Sequence, residues 1–227
     1  MSQNIKPIKV YGQGPSPNPL KLHIILKELG IPYEITLVPF TDVKKPEYLA
    51  INPNGRLPSI YDPNTNITLW ESGAIVEYII ERYDTEHLLS FPAGTPEAYY
   101  TKQWLYFQTS GQGPYYGQMS WFIKFHPEKV PSAVDRYTNE VNRITGVLDK
   151  WLSKQKEEHG TSNNGPWLVG GKPTYADFAF VPWQRMAAMF ADPEKYNQES
   201  YTYVSEWLGK MLSRKSVIDA IAESPPP

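Results

Sequence analysis

The sequence predicts an α/β + all-α chain: an α/β layer over residues 1–86, a linker at 87–96 and an all-helical domain over 97–227. Three observations carry this. Strand-like and helix-like segments alternate as far as Tyr83. Periodicity then stops among prolines and a glycine. Beyond Pro96 only helix-period patterns remain, a succession that separates a mixed layer from a bundle.

Ile8–Tyr11 reads as a short strand running into a breaker-rich stretch from Gly12 to Pro19. A helix at 18–29 follows, with Leu22, Ile25, Leu26 and Leu29 on one face and a stop at Gly30 and Pro32. Residues 33–38 alternate as a second strand, and 45–51 suit one irregular helical turn. Strands at 57–61 and 67–70 are joined by the turn Asp62-Pro63-Asn64, and a helix at 71–83 carries Ile75, Ile79, Ile80 and Tyr83 on one face. The order β-α-β-α-β-β-α implies a parallel βαβ start and a closing hairpin, a layer of thioredoxin type. The bundle reads as helices near 96–125, 131–156, 174–190 and 200–222, the first interrupted at Gly111-Gln112-Gly113-Pro114. Residues 157–165 read as a polar loop, and the three terminal prolines exclude a helical tail. Thr174 stands three residues before Asp177, ahead of Phe178, Phe180 and Val181, which predicts a capping box and makes Asp177 structural rather than catalytic.

Composition narrows the function classes. Twenty-two basic against 24 acidic side chains, a formal charge of -2, leave no nucleic-acid footprint. No apolar run approaches the ~20 residues of a membrane span, and residues 1–9 lack a signal peptide's apolar core, so a soluble cytoplasmic protein is expected. Cysteine is absent, which excludes disulfides, thiolate metal sites and a cysteine nucleophile. His23, His87, His126 and His159 show no metal-ligand spacing, so no metal is expected. Any thiol chemistry must use a ligand's sulfur. Aromatic content is 14%, mostly core, with some rings available to line an apolar pocket.

Two clusters carry the chemistry. Asn52-Pro53-Asn54-Gly55-Arg56-Leu57-Pro58 is a turn entering a strand, with Pro58 suited to an edge or a tight, cis-capable turn. Leu57 is then held extended, its N–H and C=O available to a ligand. Trp70-Glu71-Ser72-Gly73-Ala74-Ile75 opens a helix whose free N–H groups and dipole favour an anion. Together they describe a grip on an extended peptide and its carboxylate.

These clusters, the layer order and the buried capping box resemble the cytosolic glutathione transferases over about residues 7–222. The strings Ser16-Pro17-Asn18, Phe107-Gln108-Thr109-Ser110-Gly111, Arg136-Tyr137-Thr138, Trp167-Leu168-Val169-Gly170 and Ala179-Phe180-Val181-Pro182-Trp183 resemble its nu-like branch. That branch includes bacterial disulfide-bond reductases and the fungal nitrogen-catabolite regulator with its enzyme relatives. The resemblance implies a thioredoxin-like glutathione-binding domain and an all-helical glutathione-transferase C-terminal domain, with glutathione as substrate.

By position, the resemblance assigns the γ-glutamyl end of glutathione to Glu71 and Ser72, and the cysteinyl backbone to Leu57 beside Pro58. Arg56 either contacts the ligand or forms a salt bridge beneath the site. The family position that often contacts the glycyl end falls at Val43, so adjacent Lys44 either takes that carboxylate or is a solvated surface lysine. Ser16 and Asn18 fall where the branch keeps groups near the sulfur; Asn18 also suits a helix cap, and Tyr11, on the first strand, is the weaker candidate. A free thiol has a pKa near ~8.5, and a donor with a helix start against the sulfur favours the thiolate. Tyr115, Tyr116, Met119, Trp121 and Phe122 are expected to line a second-substrate site between the domains. Arg136 either faces a second glutathione or pairs with Glu140 at i, i+4.

Expected activities are attack on electrophiles or peroxides, as in detoxification, and disulfide reduction, to which the branch resemblance leans; a homodimer is also implied. The competing readings are a regulator that binds a partner and a carrier of apolar molecules. The regulator of this branch has a long Asn-rich extension, whereas this chain starts a few residues before its first strand, which weakens that reading.

Overall fold

The computed structural model describes residues 5–12, 16–160 and 165–223. The middle of the 12–19 stretch, most of the polar loop after residue 160 and the proline tail lie outside them. The described chain forms two compact units, one running to Leu89 and resuming at Arg214, the other spanning Ser90–Ser213.

The first unit holds four strands, β1 (Ile8–Tyr11), β2 (Tyr33–Thr36), β3 (Ser59–Asp62) and β4 (Ile67–Trp70), with helices α1 (Pro17–Glu28), α2 (Pro46–Leu49) and α3 (Ser72–Tyr83). The sheet order is β2-β1-β3-β4, with β1 parallel to β2 and the other pairs antiparallel. This is the thioredoxin-like arrangement that the pattern predicts. Ile8, Val10 and Ile60 of the sheet are fully buried, as are Leu22, Ile25 and Leu26 of α1 and Ile75, Val76 and Ile79 of α3. The second strand stops at Thr36 and the third starts at Ser59, each about two residues inside its expected bounds.

The second unit contains α4 (Pro96–Phe107), α5 (Gly113–Lys124), α6 (Pro131–His159), α7 (Tyr175–Phe190) and α8 (Thr202–Leu212). The glycine-rich interruption is a π-helical turn, Gln108–Gln112, that carries α4 into α5 with helical dihedrals rather than breaking the chain. A π turn inserts a residue without losing the helix, and such turns recur at functional sites. Residues 157–159 belong to α6, not to the loop. The capping box is present: Thr174 donates to Asp177 from its N–H and its hydroxyl, both at 2.8 Å. The Leu168 N–H and the Trp207 indole N–H also reach this carboxylate, each at 3.0 Å. Burial pushes the Asp177 carboxyl up, against these four donors, which pull it down.

The helix expected at 200–222 is two helices. α8 ends at Leu212, and α9 (Lys215–Glu223) returns to the first unit and packs on α1. Lys27 Nζ and Tyr33 OH bond to the Glu223 carboxylate at 2.7 and 2.6 Å, and Arg214 and Ser216 bond to Glu28. These polar ties act across a seam whose apolar contacts include Val217 and Ala220.

Candidate functional site

The pairing register places the two sequence clusters at one end of the strands. Tyr11 pairs with Thr36 on one side and Ser59 on the other, and Ser59 pairs with Trp70. This row brings together the chain leaving β1 towards α1, the Leu57-Pro58 segment before β3, and Glu71-Ser72 after β4. Gly12 is needed at this end, because a Cβ there would come within 2.9 Å of Pro19 Cβ.

The Leu57–Pro58 bond is cis. The ladder begins at Ser59, so the Leu57 N–H and C=O lie outside it. The preceding turn is fastened from below. Tyr48 OH and Asn52 Nδ2 both donate to the Arg56 carbonyl, at 2.8 and 2.7 Å, and Tyr48 OH also bonds Ser59 Oγ at 2.8 Å. Asn52 Oδ1 accepts from the Asn54 N–H at 2.9 Å. Gly55, with φ 57°, is the one residue type that fits, since a Cβ would stand 2.6 Å from the Val43 carbonyl oxygen. Such bracing fixes the backbone on which Leu57 is offered.

The start of α3 is unusual. Glu71, the N-cap residue, has φ 71° and ψ 112°, and its side chain does not cap the helix. A non-glycine residue there costs on the order of 1–3 kcal/mol, and such residues cluster at active sites and ligand clamps. Ser72 is buried, with 8% of its surface exposed, while Glu71 is exposed and its carboxylate lies 3.4 Å from Asn54 Nδ2. The first N–H groups of a helix have no partner within the helix, and their dipole favours an anion.

Beneath this helix start lies a residue that sequence reasoning misses. Lys21, on α1, is fully buried and donates from Nζ to Ser72 Oγ at 3.0 Å. Burial lowers its ammonium pKa to about 7, the Glu71 carboxylate opposing the shift. A lysine on a helix ordinarily reads as solvated. The one signal that points to it is its register, since Lys21 falls among the buried positions 19–26 of α1.

Ser16 is the N-cap of α1, without a side-chain capping bond, and half-buried Asn18 is the second helical residue. Asn18 is therefore not the cap, because Pro17 already occupies the first helical position. Lys44 is exposed and donates to the Asn54 carbonyl at 2.7 Å, so its ammonium sits at the same turn as Gly55. Arg56 is exposed. Tyr11 faces Tyr48, with ring centroids 6.4 Å apart.

The residues expected to receive a second substrate divide. Tyr116 and Met119 are fully buried in the core of the second unit, where Tyr116 OH bonds Thr145 Oγ1 at 2.8 Å and Gln184 Oε1 at 3.2 Å. Their expected place as pocket lining is corrected: inward positions at this helical spacing serve packing. Tyr115 and Phe122 are half-buried and Trp121 is 48% exposed. Phe122 stacks on His126 and Tyr137 at 4.9 and 5.7 Å, and Trp121 packs against Phe125 at 5.9 Å. Arg136 is exposed, and Glu140 pairs with Arg143 at 2.8 Å instead. Among the described residues no cluster of histidine, aspartate or glutamate suits a metal ion. None of the described helices is long and apolar enough to cross a membrane.

A thioredoxin-like layer with a cis-proline segment and an anion-ready helix start, followed by an all-helical unit, is the architecture that the resemblance to the glutathione transferases implies. Residues 15–82 match the family model for the glutathione S-transferase N-terminal domain, and 114–215 that for the C-terminal domain. The chain belongs to the glutathione S-transferase family. It is 55% identical to the glutathione S-transferase-like protein tpcF of Aspergillus fumigatus over 97% of both chains. Among solved structures it is similar to the glutathione transferase URE2P6 of Phanerochaete chrysosporium in complex with oxidized glutathione, at 43% identity, 98% coverage of both chains and a TM-score of 0.87. It is also similar to the nitrogen regulation fragment of the yeast prion protein Ure2p, at 33% identity, 98% and 99% coverage and a TM-score of 0.85.

Proposed function

We propose that this protein is a glutathione transferase that holds glutathione along Leu57 and by its γ-glutamyl head at Glu71 and Ser72. The observation that carries this reading is the uncapped start of α3, with strained Glu71 and buried Ser72 directly after Trp70, which pairs with Ser59 two residues beyond Leu57. Ser72 and the helix N–H groups take the γ-glutamyl carboxylate, and Glu71 takes its ammonium. Pro58 shapes the segment on which Leu57 meets the cysteinyl backbone. Lys44 and Arg56 meet the glycyl end.

The sulfur then lies against the start of α1, where the Ser16 hydroxyl or the Asn18 amide donates to it and favours the thiolate. Each unit of lowered thiol pKa corresponds to ~1.4 kcal/mol. With no cysteine in the chain, glutathione supplies the nucleophile. In conjugation the thiolate attacks an electrophilic carbon and the leaving group departs with its bonding pair. In disulfide reduction it attacks one sulfur of the disulfide and expels the other as thiolate. A second glutathione then attacks the glutathionyl sulfur, giving oxidised glutathione and a second thiol. Tyr115, Trp121, Phe122 and Arg136 are assigned to the second substrate.

We infer that the chain works in the cytoplasm as a homodimer, a state supported by exposed Ile67 and Trp70 on edge strand β4 and Tyr99, Tyr100 and Tyr106 on α4. Sedimentation at twice the chain mass tests the dimer. Activity is tested by glutathione-dependent reduction of a hydroxyethyl mixed disulfide beside conjugation to an aryl halide. Turnover in either assay supports an enzyme. Glutathione binding without turnover in both favours the second reading, a regulator or carrier, which the likeness to the nitrogen regulation fragment keeps in view.

A further inference from the structure

We propose that Lys21 is a positioning residue for glutathione: its buried ammonium holds the Ser72 oxygen from beneath, so that the Ser72 hydroxyl proton is turned to the γ-glutamyl carboxylate. The inference rests on the glutathione reading and adds to it a residue outside the ligand's reach.

The argument begins from donor and acceptor counts. An ammonium has three donors and no acceptor, whereas a serine hydroxyl has one donor and two lone pairs. In the 3.0 Å contact between Lys21 Nζ and Ser72 Oγ the serine oxygen must accept. Its own proton is then directed away from Lys21, at the residue where α3 begins and its N–H groups lack helical partners. Where Lys21 is protonated, the hydroxyl is thereby fixed as a donor before any ligand arrives, which reduces the ordering cost of binding.

Charge reinforces the arrangement. A fully buried cation is costly unless an anion or hydrogen-bond acceptors compensate it. Lys21 lies among the apolar residues Leu20, Leu22 and Ile24 of α1, where an unbranched apolar side chain of similar length would pack without that cost. Glu71 is the carboxylate whose field acts on it, and the arriving γ-glutamyl carboxylate brings a second negative charge to the same helix start. The ammonium and the α3 dipole then act on the ligand together.

The test compares Lys21→Met and Lys21→Gln with the parent by titration calorimetry. The probes are glutathione and γ-aminobutyryl-cysteinylglycine, which keeps the terminal amine but lacks the α-carboxylate. The parent should prefer glutathione, and Lys21→Met should reduce that preference by about tenfold or more, the size expected of a charge-assisted contact. Binding of the analogue should change far less. In steady-state assays KM for glutathione should rise while kcat at saturation stays close to the parent's. Lys21→Gln, which keeps a donor without the charge, should fall between.

An equal loss of affinity for both probes, an unchanged preference, or failure of both variants to fold would overturn the proposal and leave Lys21 a strut of the fold. A parent that binds neither probe would instead overturn the glutathione reading itself, and this inference with it.

Discussion

The starts of α3 and α7 meet the same physical problem in opposite ways. Each helix exposes four N–H groups without helical partners. At α7 the protein satisfies them internally: Thr174 and Asp177 form a reciprocal capping box, and the buried carboxylate also gathers the Leu168 and Trp207 N–H groups. At α3 no side chain caps the helix, the N-cap residue is held at φ 71°, and the buried Lys21 presses on Ser72 from below. The first arrangement is built for stability. The second forgoes that stabilisation, and in the proposed function its donors take the γ-glutamyl carboxylate.

The largest test of this contrast is Asp177→Ala. Four buried donors lose their acceptor, and unfolding in urea should show a loss on the order of 4 kcal/mol. A loss below about 1 kcal/mol would mean that α7 does not depend on its box. Ser72→Ala should act on binding as well. Calorimetry is expected to show glutathione binding weakened about tenfold or more, with unfolding free energy lowered by about 1–3 kcal/mol because buried Lys21 loses an acceptor.

A smaller effect separates strain from packing. Glu71→Gly relieves the backbone strain but also withdraws the carboxylate that acts on buried Lys21, so it is made in the Lys21→Met background, where thermal and urea unfolding should show a gain of about 1 kcal/mol over Lys21→Met itself. A double variant that is less stable than Lys21→Met would remove strain from the account. A further test concerns pH. Burial lowers the Lys21 pKa from 10.5 to about 7, so between those values the unfolded chain binds more protons than the fold. Its contribution to stability is full above about pH 10.5 and is lost as pH falls towards 7. Urea midpoints across that window should rise with pH in the parent and rise less in Lys21→Met.

Much of this contrast is legible in the order of the amino acids alone. Thr174 and Asp177 stand at capping-box spacing, and the β-α-β-α-β-β-α order follows from alternation punctuated by glycine and proline. Leu57, Pro58, Glu71 and Ser72 are legible because backbone geometry at a proline and at a helix start is a local property. What escapes depends on distant partners. Lys21 meets Ser72 across 51 positions, and nothing near residue 21 announces an acceptor there. Tyr116 and Met119 share an aromatic cluster with Tyr115 and Phe122, and residue type alone does not separate core from surface. The last helix reads as continuous because Val204, Leu208, Met211 and Ile218 keep helical spacing across the break at 213–214, where no glycine or proline marks it.

Amide resonances recorded during a glutathione titration place the two helix starts in one experiment. With the open start of α3 as the γ-glutamyl seat, the amides of Leu57, Ser72 and Gly73 move saturably while those of Tyr175 and Ala176 stay in place. Saturating glutathione that leaves Leu57, Ser72 and Gly73 unmoved would contradict the account.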